Sequence, residues 1–162
     1  MDPAWPTGGW RLLAETGTGA LYGVLAPEGA ESPAYVVTIR ETGDGWQAED
    51  QGGCTPKVLL DPGVGGASWL PAGEVDDSET ELEVLVTETA CASGESSEGR
   101  VVEPRILVDD DAITITFGVT PLDGAQDCQG NPASSYVVTL PEPLGDRDLR
   151  DGGVYPPVTV AQ

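Results

Sequence analysis

The stretch Ala112-Ile113-Thr114-Ile115-Thr116-Phe117-Gly118-Val119-Thr120 decides the fold class. Every second residue is apolar, and the residues between them are threonine or glycine. An alternation with period two is typical of a β-strand that has one buried face and one solvent-exposed face. Residues 80–89 repeat the pattern, with Leu82, Val84 and Val86 on the side that we expect to be buried.

Further strand-like runs extend this pattern along the chain. The clearer ones are 20–26, 35–40, 105–108 and 136–140, and the weaker ones are 9–14, 46–49 and 57–60. Turn-forming residues separate them at 41–45, 109–111 and 122–124, and residues 109–111 read as the loop of an antiparallel hairpin. We expect loop structure over 43–53, and the sole helical candidate is one turn within 145–151.

These patterns predict an all-β protein. Short alternating strands with polar loops favour an antiparallel β-sandwich of about eight or nine strands, with a partly open β-barrel as the alternative. The length of 162 residues predicts a single domain over 1–162, in which 1–8 and 158–162 are flexible ends.

The charge balance excludes several classes of function. The chain carries 28 acidic and seven basic side chains and no histidine, for a net charge of −21. So few cations cannot neutralise a run of phosphates, so we expect no nucleic-acid partner. The lack of histidine excludes Ser-His-Asp and Cys-His catalytic arrangements and imidazole metal ligands. The acidic surface either keeps the protein soluble or recognises a basic partner protein, as an acidic inhibitor would.

The three cysteines lie in loop-like sequence rich in glycine, serine and aspartate. Cys91 follows one strong strand and Cys128 precedes another, so we expect a disulfide between these two and an unpaired Cys54. The alternative is a cytosolic protein with three reduced thiols. A disulfide would indicate an oxidising, extracytoplasmic compartment.

Clustered carboxylates in loops are the candidate metal ligands, and calcium is the cation that they favour. One cluster is Asp109, Asp110 and Asp111, and a second comprises Asp146, Asp148 and Asp151. The second resembles a D-x-D-x-D-G calcium loop, but Arg150 takes a ligand position and Pro157 stands where the closing glutamate would be. The alternative for both clusters is a solvated turn, and we expect no other cofactor.

Two tryptophans next to glycine are candidates for a ligand platform. Trp46 follows Gly45, and Trp69 lies in a Gly-Gly-Ala-Ser-Trp-Leu segment. Such rings line carbohydrate or peptide grooves, or they fill the core of a sandwich. Both interpretations stay open at this level.

The C-terminal part of the chain resembles a known group of proteins. The stretches 82–93, 127–132, 142–147 and 151–157 carry a pattern of cysteines and turns. Over residues 45–157 the chain is similar to uncharacterised exported or lipid-anchored β-domain proteins of actinobacteria. The resemblance implies an extracytoplasmic domain of the cell envelope and assigns no functional residues.

We therefore expect a non-enzymatic extracytoplasmic structural or interaction domain with an unknown protein or cell-wall partner. A calcium- or glycan-binding module is the alternative, and an acidic inhibitor of a basic protein is a third. Residues 1–6 do not form a signal peptide, so an exported protein would be the mature part of a longer precursor. No apolar run is long enough for a membrane span.

Overall fold

The structure is a computed structural model that describes residue 6 and residues 8–26 and 33–160. It contains twelve β-strands and, within those residues, no helix. The all-β prediction is confirmed, with more strands than the sequence indicated. No helix in the described part of the chain is long and apolar enough to cross a membrane.

The chain falls into two compact units, residues 1–56 and residues 57–162. The first unit contains one antiparallel sheet in which the strands are neighbours in chain order. Its strands are β1 (Arg11–Thr16), β2 (Gly19–Leu25), β3 (Ala34–Thr42) and β4 (Gly45–Cys54). This order makes the sheet a meander whose successive strands pair directly.

The sheet of the first unit is apolar on both faces but is only partly covered. Strands β2 and β3 have apolar residues at consecutive positions, as strands covered on both faces do. The fully buried hydrophobic residues are Ala20, Val24, Ala34 and Tyr35. Large side chains that stay exposed are Leu12, Leu13, Leu25 and Trp46. This unit therefore presents apolar surface together with strand edges.

A bulge in β1 places Leu13 over β2. The register shifts between Leu12 and Ala14, so Leu13 is the extra residue. A Cβ atom at Gly23 would lie 2.6 Å from the Leu13 Cδ1 atom. Glycine at position 23 is therefore what allows the Leu13 side chain to lie across the neighbouring strand.

The second unit contains two four-stranded sheets, with strand orders β10-β6-β5-β9 and β12-β11-β8-β7. The strands are β5 (Gly65–Pro71), β6 (Glu81–Glu88), β7 (Arg105–Val108), β8 (Ala112–Thr116), β9 (Gly118–Val119), β10 (Ser134–Thr139), β11 (Asp148–Asp151) and β12 (Val158–Thr159). All pairs are antiparallel except β8 and β11, which run parallel. Both sheets contribute to one hydrophobic core, which makes this unit a sandwich.

The core of the second unit is built from the alternating residues that the sequence indicated. Leu82, Val84 and Val86 of β6 are at most 1% exposed. They pack in the same cluster as residues of β8, β10 and β11. The Phe117 ring lies 5.9 Å from that of Trp69 and 5.6 Å from that of Tyr136, measured between ring centroids. Full burial of each Leu, Val or Phe side chain in this core contributes about 1.5–3 kcal/mol to the stability of the fold.

Several predicted elements are corrected by the structure. The run 112–120 is two strands, because the ladder is interrupted at Phe117. Residues 43–53, expected as a loop apart from a weak strand at 46–49, belong mostly to β4, where pairing with β3 overrides the glycines. The helical turn expected near 145–151 is wrong, because β11 pairs with β8 there. The run 57–60 makes only an isolated bridge, from Lys57 to Val154.

The sequence also led to predictions about the number of domains and the ends of the chain. The single domain over 1–162 stays a prediction beside the two compact units. Flexible ends were predicted at 1–8 and 158–162, and residues 1–5, 7, 161 and 162 lie outside the described residues. Val158 and Thr159 form β12, and Val160 is buried.

Candidate functional site

Cys91 and Cys128 form a disulfide, with a Cα–Cα distance of 4.5 Å. The bond joins the loop after β6 to the loop before β10, as expected from the sequence. The same loops are also joined where the Ser93 N–H donates to the Asp127 carbonyl oxygen at 3.0 Å. Cys54, at the end of β4, is free and half-buried. The disulfide fits an oxidising compartment.

A buried ion pair lies beside this disulfide. Glu88 follows Leu82, Val84 and Val86 on the inner side of β6, and its side chain is 1% exposed. Its Oε2 atom lies 2.7 Å from an Arg100 nitrogen, and Arg100 also donates to the carbonyl oxygens of Ser96 and Thr120. This pair was not predicted from the sequence, although the alternation of β6 places position 88 inward.

Asn131 extends this network to the backbone. Its amide nitrogen donates to the carbonyl oxygens of Glu88 at 2.9 Å and Ala90 at 2.6 Å. The Glu88 Oε1 and Asn131 Oδ1 atoms are buried and accept no hydrogen bond within the described residues. The network holds the end of β6 and the disulfide loop in place, which is a structural role.

Part of the predicted acidic set meets in one cleft of about 850 Å³ in the second unit. The turn between β7 and β8 contributes Asp109, Asp110 and Asp111, and the segment before β11 contributes Glu142 and Asp146. The two segments are joined where the Asp148 N–H donates to the Asp111 carbonyl oxygen at 3.0 Å. The structure therefore unites the first predicted cluster with the first residue of the second cluster.

Some of the charged side chains in the cleft are occupied by hydrogen bonds within the protein. Asp109 Oδ1 accepts from the N–H groups of Asp111 at 2.9 Å and Ala112 at 2.7 Å, so it holds the turn. Arg147 bonds to the Glu142 carboxylate and to the Leu144 carbonyl oxygen. Its charge is therefore engaged within its own loop, and the cleft is left with an excess of carboxylate.

No group of three or more acidic or cysteine side chains in the described residues is arranged to hold a metal ion. Asp148 and Asp151 do not border the cleft. Asp148 pairs with Arg150 at 2.9 Å, and Asp151 Oδ1 accepts from the Gly153 N–H at 2.8 Å. Because this segment is a strand, its carboxylates do not surround one point as those of a calcium loop do. Burial raises the pKa of Asp151, and the Gly153 hydrogen bond opposes that shift.

The two candidate platform tryptophans have opposite environments. Trp69 is 2% exposed and its Nε1 donates to the Ile115 carbonyl oxygen at 3.1 Å. Of the two interpretations of Trp69, the structure supports the core one, because the ring is part of the hydrophobic cluster. Trp46 is 56% exposed and lies on β4 opposite Glu41. Its ring is therefore accessible to a ligand.

Trp46 lies on a long outer strand. Strand β4 has ten residues and is the last strand of its sheet, so one of its edges has no neighbouring strand in the described part of the chain. Glu49 pairs with Arg40 of β3 at 2.9 Å, and the Gln51 N–H donates to the Asp50 side chain at 2.8 Å. Trp46 was predicted as a site residue from the sequence but this edge was not, because Gly52 and Gly53 are unusual in a strand.

Comparisons with known proteins found no family model that matches the chain, and no significant match to a curated protein or a solved structure.

Proposed function

We propose that the protein is a non-enzymatic extracytoplasmic interaction domain whose binding surface is the outer edge of β4 together with Trp46. The observation that carries the proposal is the ten-residue outer strand with a half-exposed tryptophan ring. Unpaired N–H and C=O groups along such an edge are a template for a strand from another protein.

The other outer strands of the chain are much less suited to such pairing. In the second unit, β9 and β12 have two residues each, β7 has four and β10 has six. Prolines at 104, 132 and 157 precede three of these strands. In the first unit, β1 has only six residues and a bulge at Leu13, whereas β4, which has a bulge at Glu49, is ten residues long. Short strands, prolines and bulges are the devices by which proteins protect their edges, and β4 combines its length with exposure.

Site-specific photo-crosslinking in the producing cells tests the proposal. A benzoylphenylalanine replaces Gln47 in β4, and the matched control places it at Leu107, which is exposed on β7. We expect a discrete crosslinked product from position 47 and none from position 107. Equal products from both positions, or none from position 47, would overturn the proposal.

The location outside the cytoplasm has a separate test. Native protein is alkylated without reduction and its mass is measured. Modification of a single thiol, that of Cys54, supports export, because the bond between Cys91 and Cys128 needs an oxidising compartment. Three modified thiols would contradict the extracytoplasmic assignment.

A second candidate function is calcium binding by the acidic cleft. It is favoured by one observation, that Asp110, Asp111 and Asp146 border the same cleft although they are distant in sequence. Its test is the melting temperature in millimolar calcium, compared with Asp110→Asn/Asp146→Asn and with the control Asp123→Asn outside the cleft. A calcium-dependent rise that only the cleft variant loses supports it, and an unchanged melting temperature removes it. The glycan-binding alternative now depends on Trp46 alone.

A further inference from the structure

The edge of β4 also indicates what kind of partner it takes. We propose that it binds an extended, cationic segment of a partner protein, which adds as a fifth strand and places a Lys or Arg side chain on the Trp46 ring. This inference rests on the proposed function and specifies the chemistry of the partner. Its support comes from backbone accessibility, charge and the exposed ring.

The backbone of β4 is accessible on its outer side. One side of the strand pairs with β3 from Thr42↔Gly45 to Ala34↔Cys54. Residues 45–51 are all exposed. The Gln51 N–H donates to the side chain of its own neighbour Asp50 at 2.8 Å. An incoming strand would find the remaining outward groups ready to pair.

The charge of this edge favours a cationic strand. Asp44, Glu49 and Asp50 lie in β4 or in the loop that precedes it, and the neighbouring cation, Arg40, is engaged by Glu49. Asp44 has no ion pair in the described part of the chain, and Asp50 bonds only to a backbone N–H there. Opposite charges on neighbouring strands stabilise a sheet, and like charges directly opposite each other destabilise it.

The same charges argue against a second copy of this chain as the occupant. The midpoint of β4 (Gly45–Cys54) lies between Glu49 and Asp50. Two copies that paired antiparallel about this midpoint would therefore bring Glu49 and Asp50 of one copy close to the same residues of the other. Such a dimer would bring like charges together at its centre, whereas a strand with Lys or Arg there would neutralise Asp50, which has no ion pair in the described part of the chain.

Trp46 supplies the third element of the site. Its ring is exposed on the strand where the partner would lie, and it stands next to the Gly43-Asp44 turn. A cation over an indole ring contributes about 0.5–1 kcal/mol at exposed sites. An exposed aromatic ring between carboxylates is therefore suited to a basic side chain of an added strand.

The test uses the full-length oxidised protein and a defined probe. The probe is a capped peptide of alternating lysine and threonine, matched in length to β4. One control replaces each lysine by glutamate, and the other replaces two threonines by proline, which retains the charge but blocks strand pairing. Binding is followed by amide chemical shifts and by hydrogen exchange of the ¹⁵N-labelled protein.

We expect the lysine peptide to shift the amides of residues 45–54 and to slow their exchange. The proline peptide should bind about tenfold more weakly, which corresponds to the loss of one or two net backbone hydrogen bonds. Trp46→Leu should weaken binding by about three- to fivefold through the lost cation–ring contact. Leu107→Ala and Asp123→Asn, which change exposed residues of the second unit, should leave the affinity unchanged.

Three results would overturn the inference. Equal binding of the two lysine peptides would mean that charge alone is recognised, and shifts centred on 109–111 would assign the ligand to the acidic cleft. Self-association that protects β4 in sedimentation and exchange would identify a second copy as the occupant. If the lysine peptide does not bind but position 47 still gives a crosslinked product, only the inference of a cationic partner strand is refuted. If position 47 gives no crosslinked product, the proposed function is refuted.

Discussion

The buried carboxylate of Glu88, in the second unit, is compensated by one ion pair. The Glu88 side chain is almost fully buried, and its nearest positive charge belongs to Arg100 at 2.7 Å. Two further hydrogen bonds to backbone carbonyl oxygens fix the guanidinium. Such a pair adds little compared with apolar packing, but removal of one partner leaves the other charge without compensation.

We therefore expect Arg100→Met to lower the free energy of unfolding by about 3–5 kcal/mol. The paired change Glu88→Leu/Arg100→Met should recover much of that loss, because it removes both charges. Urea unfolding of the three proteins measures the difference. A loss below about 1 kcal/mol for Arg100→Met would contradict a buried, uncompensated Glu88.

Asp151 is a second buried carboxylate, and it makes the free energy of unfolding depend on pH. Burial raises its pKa in the folded protein, so the folded state binds the proton more tightly than the unfolded state. Its contribution to stability is therefore fully present below the unfolded pKa and is lost as the pH rises through the folded pKa. Asp151→Asn retains an oxygen for the Gly153 N–H and should be more stable than the native protein at neutral pH. Urea unfolding from pH 3 to 7 should show that advantage shrink as the pH falls; an advantage independent of pH would refute the assignment.

At the scale of elements, the turn between β7 and β8 depends on one carboxylate. Asp109 Oδ1 accepts two backbone N–H groups, whereas the Asp110 side chain makes no hydrogen bond to the described residues. Asp109→Ala should lower the free energy of unfolding by about 1–2 kcal/mol, and the matched control Asp110→Ala should change it by less than about 0.5 kcal/mol. Chemical denaturation of both variants measures the two losses. Equal losses of unfolding free energy would mean that the Asp109 hydrogen bonds do not stabilise the turn.

The disulfide closes a loop with a sequence separation of 37 residues. In the chain-entropy model a loop of this size stabilises the folded state by about 4 kcal/mol, as an upper figure. We expect Cys91→Ser/Cys128→Ser to approach that loss, and Cys54→Ser to leave the free energy of unfolding nearly unchanged. Denaturant titrations without reductant measure both, and a comparable loss from Cys54→Ser would contradict the pairing.

Predictability from sequence differed between elements for identifiable reasons. Strands β6 and β8 were evident because apolar residues alternate in both sequences. Only one face of β6 is buried, whereas β8 is buried at all five positions, so the exposed threonine face expected for it is wrong. Strand β5 was missed since Gly65, Gly66 and Pro71 resemble turn sequence, although Ala67 and Trp69 point inward. Strand β11 was missed because three of its four residues are charged and it gains its pairing from β8, which is distant in the chain.

Candidate sites were likewise predictable where they depend on local sequence and unpredictable where they depend on strands that are distant in the chain. The disulfide could be predicted because its two cysteines flank strong strands. The convergence of Asp110 and Asp146 could not, since it requires the parallel pairing of β8 with β11. The edge of β4 was hidden because only the pairing of four strands in one sheet determines which strand is outermost.

At the scale of the whole molecule, the net charge of −21 is the dominant feature. Repulsion between so many carboxylates opposes the compact state, and salt screens it. We expect the melting temperature to rise as sodium chloride increases from about 0.01 to 0.5 M, a range in which the screening length falls well below 10 Å. Differential scanning calorimetry at neutral pH measures the change, and a melting temperature that falls with salt would show that attractive ion pairs dominate instead.

The meander of the first unit has a consequence for synthesis. Each of its strands pairs with the next, so the sheet can be completed once residue 54 is available, whereas β8 must wait for β11, more than thirty residues later. During that interval the edge of β4 faces other nascent copies. We expect Glu49 and Asp50 at its centre to act then as gatekeepers against aggregation, so that the charges proposed to select a partner would also keep newly made chains apart.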